Sequence, residues 1–118
     1  MTNFTKTFHI DRKKWQRGND PDRTYLWSSG QQKGCCLGHV IHQSTKCSWD
    51  ELNNLKSPMH YYGKASILTI KTFNGSSDNV LADNAMSIND DRCISDKERE
   101  RQLIELFNNN GYGLEFYN

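Results

Sequence analysis

Five side chains able to bind metal or attack an electrophile fall between positions 35 and 47: Cys35, Cys36, His39, His42 and Cys47. Thiolate and imidazole are zinc's preferred ligands. On a helix, Cys35 and His39 stand four apart, and Cys36 and His39, like His39 and His42, three apart, so each pair shares a face. Cys35, Cys36, His39 and His42 therefore form one possible metal set. The paired spacings C-x2-C and H-x3-H are absent, however, and Leu37, Val40 and Ile41 claim the same helix for the core. We take the thiols as buried and the histidines as surface groups, with no metal and no cofactor. The second chemistry is nucleophilic. A cysteine at a helix N-terminus has a lowered pKa, which Cys35 would share if the helix starts there. A base is not selected: His9 and His60 are as eligible as His39. A nucleophile without a positioned base is only a reactive thiol, so catalysis is not the leading reading.

Two further groupings invite chemistry. Asn89-Asp90-Asp91 offers carboxylates to a cation but lacks the alternate oxygens and distal Glu of a calcium loop, so it reads as a polar connection that caps backbone amides. Arg12, Lys13, Lys14, Arg17 and Arg23 surround Trp15, and Trp with Arg is the usual composition of a binding hot spot. Arg12, Lys14, Trp15, Arg17 and Arg23 are thus the candidate contact residues. The competing reading, a solvated face with Trp15 turned inward, is the favoured one.

Composition limits the partners. The 118 residues carry 15 basic and 14 acidic side chains, net +1, so no long-range field draws the chain to nucleic acid. Mean hydropathy is -0.87, no apolar run is long enough to cross a bilayer, and no leader-like apolar stretch begins the chain. The expectation is a cytoplasmic protein whose four cysteines stay reduced. The length suits one domain, residues 1–118.

These side chains must be held by a small set of elements. Alternation predicts a strand over 3–10. Asp11 is placed to cap a short helix over 12–17 that Gly18 stops. Thr24-Tyr25-Leu26-Trp27 has strong β-propensity. The helix carrying the thiols is expected at 35–43, with Gly38 inside it. Glycine there costs about 1 kcal/mol relative to alanine, and a close backbone contact is the usual reason to accept it. Ser48…Glu51 and Ser95…Glu98 are capping boxes. The first opens a short helix to about 54, the second a long one over 96–109. A less regular strand is expected at 66–73, and a short helix over 80–88, broken at Asn89-Asp90-Asp91. Residues 113–117 alternate again and suit pairing with 3–10, which would bring the chain ends together. The fold class predicted is α+β: a small antiparallel sheet with two or three helices packed on one face.

Taken in order, Trp15-Gln16-Arg17-Gly18, Gly34-Cys35-Cys36-Leu37-Gly38, Ile88-Asn89-Asp90-Asp91 and the closing helix with Gly111…Glu115-Phe116 resemble small uncharacterised proteins of tailed bacteriophages and prophages. The resemblance covers both ends of the chain and little of 44–80. His39 and His42 depart from that pattern, which is apolar there. The resemblance implies a phage origin and a host cytoplasm. It transfers no catalytic or binding residue. The function expected is that of a non-enzymatic accessory protein binding a host protein, such as a defence component. The alternatives are a nucleotide-type ligand binder using Arg12, Arg17 and Arg23, and a cysteine- or zinc-dependent enzyme.

Overall fold

The structure, a computed structural model, describes residues 4, 6–18, 25–55, 72, 73 and 80–118. Two strands, β1 (Lys6–Asp11) and β2 (Tyr112–Tyr117), pair from Lys6↔Tyr112 to Asp11↔Tyr117. The pairing of the first and last segments is as expected, but the direction is not: the strands are parallel, so the expected antiparallel sheet is overturned. A period of two shows which residues face inward and is blind to strand direction. The direction comes from the last connection. Only Asn110 and Gly111, the latter at φ +88°, separate the final helix from β2, so β2 folds back along that helix. Everything between β1 and β2 then serves as the long crossover that parallel strands require.

Four α-helices lie among the described residues: α1 (Cys36–Thr45), α2 (Trp49–Leu52), α3 (Val80–Asp90) and α4 (Asp96–Asn109). None is long and apolar enough to cross a membrane. Helix α1 packs on β1 and α4 on β2, with α3 touching both helices. Phe8, Ile10 and Leu114 are buried on the helical side, while His9 and Glu115 face solvent. Helix α1 also closes the free edge of β1. The Gln43 side-chain amide accepts from the His9 N–H at 2.8 Å and donates to the His9 carbonyl, as a neighbouring strand would.

Several local expectations shift. The helix expected at 12–17 is a 3-10 turn over Arg12–Lys14, capped by Asp11, whose Oδ1 accepts from the Lys13 amide at 3.0 Å. It ends early because Trp15 turns to extended backbone and bridges in parallel to Gly34. Tyr25, Leu26 and Trp27 do not join the sheet. Trp27 makes an isolated bridge to Asn53, and Ser28 one to Lys33. Of the strand expected at 66–73, only buried Thr72 and Phe73 are described, and they lie in helix and turn, not strand; the rest falls outside the described residues. Helix α1 begins one residue later than expected, with Cys35 as N-cap, and runs on to Thr45 before Lys46 stops it at φ +59°. Helix α3 does not break at Asn89 but carries Asn89 and Asp90 in its last turn. The Ser48–Glu51 box is reciprocal. The Ser95 box is half made: its hydroxyl caps the Glu98 amide at 3.1 Å, while the Glu98 carboxylate turns to Arg101 and Gln102.

Gly38 has the close contact its position predicts. A methyl group there would collide with the Leu26 carbonyl, so segment 25–27 lies directly against α1.

Candidate functional site

The motifs that stood out in the sequence meet at one buried amide. Asn89 Oδ1 accepts from Trp15 Nε1 at 2.7 Å and from the Cys36 amide at 3.1 Å. Its Nδ2 donates to the Gln16 carbonyl at 3.1 Å and to Asp90 Oδ1 at 3.0 Å. The side chain's two donors and both acceptor positions are used. Trp15 Nε1 and Cys36 N can only donate, which fixes the amide orientation. The Asn89 carbonyl in turn accepts from Gly18 at 2.9 Å. Thus the turn at 15–18, the head of α1 and the end of α3 are joined by a single residue that is fully buried.

Arg99 finishes this joint. It is 1% exposed. Its guanidinium donates to the carbonyls of Ile88 (2.9 Å), Asn89 (3.3 Å), Asp91 (2.5 Å) and Ile94 (3.0 Å). The carbonyls left open at the end of α3 are satisfied by a cation, which also suits the negative end of that helix. Arg99 Nε sits 3.4 Å from Asp96 Oδ1. Gly18, at φ +45°, lies so near the guanidinium plane that a Cβ would strike it. Asn89-Asp90-Asp91 is therefore a connection held by Arg99; the sequence singled out Asn89 only as one member of that polar run, and Arg99 not at all. A polar residue at the interior edge of an apolar helix face was the only available signal.

The thiols do not become reactive. Cys35 and Cys36 are fully buried. Burial pushes Cys35 up to about 12, against backbone amides that pull the other way, and pushes Cys36 well above its usual value. The lowered pKa expected at a helix N-terminus is overturned, because desolvation of a fully buried group shifts it by up to 3–5 units. A helix end contributes about 0.3–1 kcal/mol, under one unit. Cys36 Sγ points at the Ala85 carbonyl, 3.9 Å away.

His39 is a second correction: it is 4% exposed and not a surface group. Its Nε2 is 2.9 Å from the Lys14 carbonyl, and its ring meets Trp49 and Trp27 edge-on at 5.3 and 6.4 Å. Desolvation lowers its pKa, partly opposed by the Lys14 carbonyl. His42 stacks on Trp49 at 3.9 Å with Nδ1 against the Cys47 carbonyl at 2.6 Å, and Trp49 stacks on Trp27 at 4.0 Å. Two rings so close and so nearly parallel to the same indole occupy its opposite faces, so Trp49 offers no free face to a ligand. Cys47 Sγ is 3.5 Å from Glu51 Oε2. The suggested metal set is not brought together, and among the described residues no three His, Cys, Asp or Glu side chains converge as a metal site. His9 lies on the open sheet face, 3.8 Å from Glu115. His60 is outside the described residues.

The basic turn divides by residue type. Arg12 makes a two-point pair with Glu100, Nε–Oε2 and Nη2–Oε1 both at 2.8 Å. Trp15 is buried and packs on Phe116 at 4.7 Å. Arg17 lies 4.4 Å over the Trp15 ring, donates to the Trp15 carbonyl at 2.9 Å, and has Nε 3.2 Å from Asp96 Oδ2, out of line for a hydrogen bond. Arg23 is outside the described residues. Lys14, with Lys13, is exposed. In this turn the described arginines, Arg12 and Arg17, tie it to α4, and Lys13 and Lys14 face out. One shallow groove of about 260 Å³ runs between α3 and α4, over Ile88 and Leu106 and under Arg101, Gln102, Glu105 and Asn109. Its rim cation, Arg101, is already paired with Glu98 and Glu105.

No known protein family matches the chain, and no curated protein or solved structure does.

Proposed function

We propose that this chain is a phage accessory protein that binds a host protein in the host cytoplasm without catalysis, a defence component being one such target. The observation carrying the reading is how the chemically capable groups are used. Cys35 and Cys36 are buried with raised pKa values, His39 is tied to a carbonyl, and Asn89 and Arg99 are fully engaged in joining elements. What remains for function is surface. The nucleotide-type alternative gains no support, since Arg12 and Arg17 are paired internally and Trp15 is buried. The phage setting rests on the sequence resemblance. Affinity capture from an infected host, with the captured protein then purified and its binding measured directly, tests the proposal. A reproducible partner bound with a defined dissociation constant is expected. Turnover of any substrate by the purified chain, or no partner under native conditions, would overturn it.

A further inference from the structure

We infer that the partner is an acidic protein surface, received by Lys13, Lys14 and Lys33 together with the hairpin tip Ser29–Gln32. This rests on the binding reading above. Its first support is placement. Lys33 is far from the basic turn in sequence, but the Gly34 amide donates to the Lys14 carbonyl at 2.9 Å and the Gln16 amide to the Gly34 carbonyl at 2.8 Å. The parallel bridge Trp15↔Gly34 brings Lys14 and Lys33 to neighbouring backbone, with Trp15 inward and both lysines exposed. Lys13 is exposed one residue before.

The second support is that this charge is not spent internally. Arg12, Arg17, Arg99 and Arg101 each face a carboxylate. Among the described residues none of the three lysines lies within ion-pair distance of a carboxylate. The carboxylate that the Lys13 and Lys14 charges reach from farther off is Asp11. The Lys13 amide holds its carboxyl below the usual range, with the Asn118 side chain and the Lys14 and Lys13 charges adding to the effect.

The third support is a preorganised tip. Ser28 and Lys33 exchange backbone hydrogen bonds at 2.7 and 3.3 Å. Above them Ser29, Gly30, Gln31 and Gln32 are all exposed. The loop is nevertheless fixed. Asn53 Oδ1 accepts from the Ser29 amide at 2.9 Å, Gln32 Nε2 donates to the Ser29 carbonyl at 2.6 Å, and Gln31 Oε1 accepts from Gln16 Nε2 at 3.0 Å. Gln32 is held at φ +54°. A loop fixed before binding loses little entropy on docking. Hydroxyl and amide side chains beside three ammonium groups complement carboxylates set among backbone polar groups. A nucleic acid fits less well, because such binders carry a clear excess of positive charge and this chain has a net +1.

The test is amide chemical-shift mapping of the whole chain, titrated with poly-L-glutamate and, separately, with a duplex DNA of equal charge. Shifts at 13–14 and 28–34 with polyglutamate are expected. The triple variant K13E/K14E/K33E should weaken that binding about tenfold, whereas K6E/K46E/K97E should leave it unchanged, with both variants melting like wild type. No shifts, equal losses in the two variants, or tighter binding of DNA would overturn the assignment. Host capture separates the two proposals. If K13E/K14E/K33E still retains the wild-type partner, this surface is wrong and the binding function stands. If wild type retains none, the function itself fails.

Discussion

At the scale of single residues, Asn89 joins three segments through one buried side chain. Asn89→Ala leaves Trp15 Nε1 and the Cys36 amide as buried donors without an acceptor. Each such orphan costs about 1–3 kcal/mol, so the variant should lose about 2–6 kcal/mol in denaturant unfolding. His39 gives a pH signature. Burial sets its folded pKa below the 6.5 of the free side chain, so the unfolded chain takes up the proton first. Stability is full above about 6.5 and falls as pH drops from there towards the folded pKa. Thermal melting against pH should show this decline, and His39→Asn should flatten it. The cysteines separate by exposure. Cys93 is exposed, whereas Cys35 and Cys36 have no contact with solvent. A thiol reagent followed by mass spectrometry should modify Cys93 at once, and Cys35 and Cys36 only at the rate of unfolding. Rapid labelling of Cys35 in the native protein would contradict the buried-thiol account.

At the scale of elements, what could be read in advance was local. The Ser48 and Ser95 caps, the extent of α4 and the alternation of β1 all depend on neighbours a few residues away; the tight approach at Gly38 was legible only as a glycine inside a helix, and its partner, Leu26, was not. Helix α3 was harder, because Asn89 looks like a helix breaker until Trp15 and Cys36 are seen to occupy its acceptor. His39 looked exposed because Leu37, Val40 and Ile41 already supplied an apolar face for its helix. The carbonyl that satisfies it belongs to Lys14, twenty-five positions away. Trp49 was unremarkable as the first residue of a short helix, and its sandwich between His42 and Trp27 needed three segments to meet. Gly38 provides the test at this scale. Alanine would gain about 1 kcal/mol of helix propensity, but its methyl group meets a backbone carbonyl that no rotamer change can move. Overpacking of that kind costs about 1–3 kcal/mol, so Gly38→Ala should lower the melting temperature despite the better helix former. A raised melting temperature would mean that segment 25–27 can move away from α1.

At the scale of the whole molecule, the parallel direction of β1 and β2 was the largest surprise, and it changes the relation between the chain ends. In an antiparallel pair the start of one strand would lie beside the finish of the other. Here Lys6 lies beside Tyr112 and Asp11 beside Tyr117, so the entry to β1 and the exit from β2 stand a strand's length apart, about 17–20 Å. A circular permutant joining them through a short linker should therefore fail to fold, whereas a linker long enough to run back along the sheet should succeed. The same pairing sets a timetable. During synthesis β1 emerges first and has no strand to bond with until Tyr112–Tyr117 is made. The sheet is thus the last thing to form, and its closure spans a separation of 106 positions at every paired residue. Such remote closure slows folding, so refolding should be slow, and β1 stays unpaired until the segment 112–117 is available to it.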